Sequence, residues 1–125
     1  MSKIESVNDL LAELEEKVPD IIGSAVIRTN GLLVASSLQN QDESNIRLIS
    51  AMAAALLGTS KRTAETLYNG EFQSLNLEIN KGNLFLMNAG RVILVATTKK
   101  QPNIGLVTLE MEDISEKIGN LFKME

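Results

Sequence analysis

The sequence predicts an α+β sandwich, with helices flanking a five-stranded antiparallel sheet. Apolar residues recur at three- and four-residue steps in three segments, and five β-prone runs are bounded by turn residues. The order is helix, two strands, long helix, three strands, helix. A chain of 125 residues with 44% hydrophobic content has material for one core, so residues 1–125 are read as a single domain without repeat or linker.

Ile4, Val7, Leu11, Leu14 and Val18 define the first amphipathic helix. Ser2 and Glu5 fit a capping box at its start, and Pro19 stops it. Ile22, Ser24 and Val26, then Leu32 to Ala35, form a predicted β-hairpin. Its Thr29-Asn30-Gly31 link holds an Asn-Gly pair tolerant of positive φ. Gln39 to Asn45 reads as a loop, with Asp42 and Glu43 placed to cap a long helix from Ile46 to Tyr68 that ends at Asn69-Gly70. Leu75, Leu77 and Ile79 alternate with polar residues in a strand with one wet face, and Lys81-Gly82-Asn83 turns the chain back. Leu84 to Ala89 and Val92 to Thr98 are more apolar, which suits central strands, with Gly90-Arg91 between them. Pro102 opens a last helix on Ile104, Val107, Met111, Ile114, Ile118 and Leu121.

The long helix is apolar on nearly every side around Ala51 to Gly58. Ile46, Ile49, Ala53 and Leu56 lie near one stripe, and Leu48, Met52 and Ala55 near a second that one small core is unsuited to cover as well. With small residues at Ala51, Ala54, Ala55 and Gly58, a symmetric helix-against-helix dimer hides the second stripe. The alternative is a central helix wholly buried in a monomer, for which so short a chain has few other elements.

Composition narrows the function. A formal charge of −4 and a pI of about 4.9 argue against a nucleic-acid backbone as partner. Aromatic content of 3% gives little for base-stacking or proline-peptide grooves. The absence of cysteine and histidine rules out disulfides, thiolate chemistry and a Ser/His or Cys/His pair within the chain. The N-terminus enters amphipathic helix without a signal-peptide segment, and no apolar run reaches the roughly 20 residues of a membrane span, so a cytoplasmic protein is expected.

Chemistry beyond that is sparse. Gly58-Thr59-Ser60-Lys61 has the flavour of a phosphate loop but lies inside the helix without a leading glycine, so the chain is not expected to be a GTPase itself. Glu13, Glu15 and Glu16, and Glu110, Glu112, Asp113 and Glu116, read as solvated helix faces. Glu13 with Lys17 and Asp113 with Lys117 are predicted four-residue ion pairs. Neither a catalytic residue nor a cofactor or metal site is expected. A small-metabolite sensor is disfavoured by the aliphatic core and the absence of obvious polar cavity-lining groups.

With the elements in this order, the chain resembles the Roadblock/dynein light chain family, which includes bacterial and archaeal regulators of Ras-like GTPases. The resemblance rests on Leu10-Leu11-Ala12-Glu13-Leu14, on Val18 to Ile27, and on Asn30-Gly31-Leu32-Leu33-Val34-Ala35-Ser36. The Ala-rich central helix and Asn103-Ile104-Gly105-Leu106-Val107 extend it. Asp20 stands where the family commonly has glycine, and Asn30 where it has aspartate. The resemblance implies a profilin-like layering, with the long helix on one sheet face and the terminal helices on the other. It also implies dimerisation through the long helix and the strand after it, here Phe72 to Ile79.

The functional expectation is a non-enzymatic homodimer, regulator or scaffold, that binds a small Ras-like GTPase and modulates its nucleotide state, a GTPase-activating role included. The alternative is a structural adaptor subunit, dynein light chain-like and indifferent to nucleotide. Leu48, Met52, Ala55, Leu56, Thr59, Leu75 and Leu77 are the expected dimer interface. Arg28, Arg62 and Arg91 are the guanidinium groups available to a GTPase, with Arg62 and Arg91 the candidate contacts.

Overall fold

The protein, a computed structural model, is described over residues 1–37 and 43–125. The elements are helix α1 (Lys3–Lys17), strands β1 (Ile21–Arg28) and β2 (Leu33–Ser36), helix α2 (Glu43–Tyr68), strands β3 (Ser74–Ile79), β4 (Gly82–Ala89) and β5 (Val92–Thr98), and helix α3 (Ile104–Leu121). The strands form one antiparallel sheet in the order β2-β1-β5-β4-β3. The predicted α+β layering is the observed one.

Both faces of the central strands are buried, as their high apolar content requires. On one face α1 and α3 lay Val7, Leu11, Leu14, Val107, Met111, Ile114 and Ile118 against Val26, Phe85, Met87, Leu94 and Ala96. On the other, α2 sets Ala53 and Leu57 over Ala25, Ile27, Leu86, Ile93 and Val95. Alternate residues of β5 thus serve opposite cores.

The caps follow the sequence with one shift. Ser2 Oγ accepts the Glu5 main-chain N–H at 3.1 Å, as the capping box predicts. At α3 the cap is Asn103, whose Oδ1 accepts the Leu106 N–H at 3.1 Å, so Pro102 precedes the helix rather than opening it. Asp20 holds that cap in place. Its Oδ2 accepts the Asn103 N–H at 2.8 Å and its Oδ1 meets Lys99 Nζ at 3.1 Å, which together depress its pKa, the Asn103 bond foremost.

Other departures have local causes. α2 begins at Glu43, so Asn45 is helical and not loop; a polar first turn is compatible with a helix whose apolar period starts at Ile46. The expected capping by Asp42 and the Glu43 side chain lies outside the described residues. In the hairpin Gly31 alone takes positive φ (90°); the Arg28 N–H closes the loop on the Leu32 carbonyl at 2.8 Å, and within it the Leu32 N–H donates to Asn30 Oδ1 at 3.1 Å. A Cβ on Gly31 would sit 3.2 Å from Ala54 Cβ, so the glycine also lets α2 approach.

Ile22, part of the first predicted β-run, is exposed, because the β1–β5 register passes from Ile21 to Gly23 and the irregularity turns Ile22 out. β3 begins at Ser74 rather than Phe72, and it is largely exposed instead of having one dry face. The turn before β4 is Asn80-Lys81, with Gly82 already paired to Ile79. Finally, Asp113 and Lys117 pair as predicted at 3.2 Å. The Glu13–Lys17 pair is replaced by contacts across neighbouring helices, Glu13 with Lys117 at 3.4 Å and Lys17 with Glu110 at 4.0 Å.

Candidate functional site

The outer side of α2 is the largest feature the core leaves unexplained. Ala53 and Leu57 occupy the buried side of the helix, so Leu48, Met52, Ala55, Thr59 and Arg62 fall on its outer side, spaced three and four residues apart. Leu48 and Met52 are each 57% exposed, far above what a side chain of that size keeps in a core. Beside them runs β3, a sheet edge whose outer main-chain groups have no strand partner among the described residues. Leu77 and Ile79 on β3 are 39% and 48% exposed.

Helix and edge strand meet in two grooves. Ile49, Met52 and Leu56 of α2 face Leu77, Ile79 and Leu84 across an apolar groove of about 360 Å³. Thr59, Thr63 and Tyr68 share a second groove with Phe72 and Leu75. The structure therefore brings Met52, Leu56 and Leu77 together at one groove, and Thr59 and Leu75 at the other. Leu48 and Ala55 lie on the open helix surface above them. Leu56 and Leu75 are half-buried and pack partly against the core under α2, so they are divided between core and surface.

The three arginines separate. Arg62 continues the exposed stripe two turns beyond Ala55, and Arg91 is exposed in the β4–β5 turn. Arg28 is engaged: its guanidinium makes a two-pronged pair with the Glu125 carboxylate, Nη2 to Oε2 at 2.8 Å, and lies 5.3 Å from the Phe122 ring centroid. Lys3 joins the same carboxylate at 3.2 Å, and the Glu125 pKa falls to about 2, chiefly through Arg28. Arg28 is thus a tie between β1 and the chain end. Gly58 to Lys61 are helical, which removes the phosphate-loop geometry.

Comparison with known proteins identifies the family of this chain. The family model for the Roadblock/LC7 domain matches residues 7–98. The chain belongs to the Roadblock/LC7 domain family. An uncharacterized protein of Methanocaldococcus jannaschii is 34% identical over 116 residues, covering 93% of this chain and 99% of the relative. The gliding protein MglB from Thermus thermophilus superposes with a TM-score of 0.88 at 17% identity, covering 100% of this chain and 94% of MglB. An MglB solved in a tetrameric arrangement gives 0.86 at 17%, covering 97% and 90%. These likenesses establish the Roadblock fold throughout the chain. No described helix is long and apolar enough to cross a membrane.

Proposed function

We propose that this Roadblock protein is a non-enzymatic, homodimeric regulator of a small Ras-like GTPase. The observation that carries the reading is the apolar stripe of Leu48, Met52 and Ala55 on α2, continuous with the open edge of β3. In a two-fold dimer, β3 pairs antiparallel with its copy and the two α2 helices close over the grooves beside it. The tetrameric arrangement of an MglB supports self-association within this fold. Leu48, Met52, Ala55, Leu56, Thr59, Leu75 and Leu77 form the seam. Arg62, on the same helix at the margin of that stripe, and Arg91 are the proposed GTPase contacts.

Regulation then needs no catalytic group in this chain. A surface that binds one nucleotide state of the GTPase more tightly shifts its switch segments by the difference in affinity, about 1.4 kcal/mol for each tenfold preference. Ras-like GTPases from the same genome, loaded in turn with GDP and a non-hydrolysable GTP analogue, test this by titration calorimetry. A preference of at least about tenfold for one state is expected. Equal binding to both contradicts it and favours a structural adaptor.

A further inference from the structure

A third cleft, of about 250 Å³, opens on the flank of α2 away from the Met52–Leu77 groove. Its floor is apolar: Leu57 and Ile93 are buried and Phe72 is half-buried. Its rim is polar and drawn from separate elements, with Lys61 and Glu65 from α2, Glu71 from the α2–β3 connection, Asn88 from β4 and Thr29 from the hairpin loop.

The helix stop builds this rim. Asn69 adopts positive φ (50°), its N–H bonds to the Glu65 carbonyl at 3.0 Å and the Gly70 N–H to the Ala64 carbonyl at 3.1 Å. This reversal returns Glu71 and Phe72 beside Glu65. The Asn88 main-chain N–H then donates to the Gln73 carbonyl at 2.9 Å, anchoring the connection on β4.

The rim side chains are chemically uncommitted. Lys61 and Glu65 stand one helical turn apart, the spacing at which Asp113 and Lys117 do pair, yet they form no ion pair. Glu71, Asn88 and Thr29 likewise have no side-chain partner among the described residues. One cation, two carboxylates and a neutral amide therefore surround an apolar floor in a space below the range of drug-sized pockets.

We propose that this cleft binds a small zwitterion of the α-amino-acid class with an aliphatic side chain. Lys61 takes the carboxylate, Glu65 and Glu71 take the ammonium, and Leu57, Phe72 and Ile93 receive the aliphatic chain. A ligand of one charge leaves one side of the rim unpaired, so both charges are recognised together. The cleft adjoins the seam, since Glu71 and Phe72 also line the Thr59–Leu75 groove, but it contains none of the residues assigned to the seam or to the GTPase contacts.

Titration of the isotope-labelled full chain with L-leucine, followed by amide NMR, tests it. Saturable shifts are expected at Lys61, Glu65, Glu71, Asn88 and Gly90. Isoamylamine, which lacks the carboxylate, and 4-methylpentanoate, which lacks the ammonium, should each bind at least about tenfold more weakly. Lys61→Met and Glu71→Gln change rim side chains that are exposed and should weaken leucine by a similar factor, whereas Glu112→Gln, exposed on α3 and outside the cleft, should not. Shifts that fail to saturate, that map elsewhere, that are equal for the amine or the acid alone, or that survive both rim variants overturn the proposal.

Discussion

At the scale of single residues, Glu15 shows how environment decides a charge. Its carboxylate accepts Ser24 Oγ at 2.6 Å and also the Ser37 hydroxyl, while Ser24 is fully buried beneath α1 and Ser24 Oγ lies 3.0 Å from Ser37 Oγ. Burial raises its pKa and the Ser24 bond only partly opposes this. A folded-state pKa above the unfolded one means that folding favours the protonated form. The group's contribution is then full in acid and is lost as pH rises through the raised value. Glu15→Gln, which mimics that form, should match or exceed the parent in urea midpoint at neutral pH, with the difference disappearing in acid. A neutral-pH loss as large as that of Glu15→Ala would contradict this. In sequence, Glu15 is one of three glutamates on a polar helix face; only the β1–β2 pairing brings the two serines beneath it. Ile22 is the same lesson reversed, an apolar residue in an apolar run that one register irregularity sends to solvent.

At the scale of elements, periodicity located the described helices and strands because all but the largely exposed β3 bury one face or both, and burial is what periodicity records. Boundaries fell where another force decides: Asn103 caps α3 through a side-chain acceptor, and β3 loses its first two predicted residues to the connection that reverses α2. The two-residue Asn80-Lys81 turn depends on Gly82, whose Cβ would stand 2.3 Å from the Thr98 carbonyl oxygen, a backbone atom fixed by the neighbouring strand. Gly82→Ala should therefore destabilise by about 2–4 kcal/mol in urea unfolding, well above an exposed-strand substitution. A change within about 0.5 kcal/mol would show that β4 yields at this point. The amino-acid-sized cleft escaped the sequence because its rim comes from four segments that only the packed sheet and the helix stop bring together.

At the scale of the whole molecule, the layers follow from two buried sets on alternate positions of the central strands, each needing its own helical cover. The excess of apolar surface on α2 was legible in the sequence because one helix carries two stripes and one side of a sheet covers only one. What the sequence withheld was the partition: Leu56 and Leu75 turn partly to the core, and Leu48, Met52 and Ala55 stay outside. Closure of this outer stripe and the β3 edge on a second copy is the central proposal. The most direct test is the mass in solution of the parent and of Ala55→Asp by light scattering, with circular dichroism confirming that the variant is folded. Ala55 is exposed, so a charge there spares the core and burdens only an interface. Twice the chain mass is expected for the parent and the chain mass for the variant; a monomeric parent, or a folded variant that keeps the dimer mass, would contradict it.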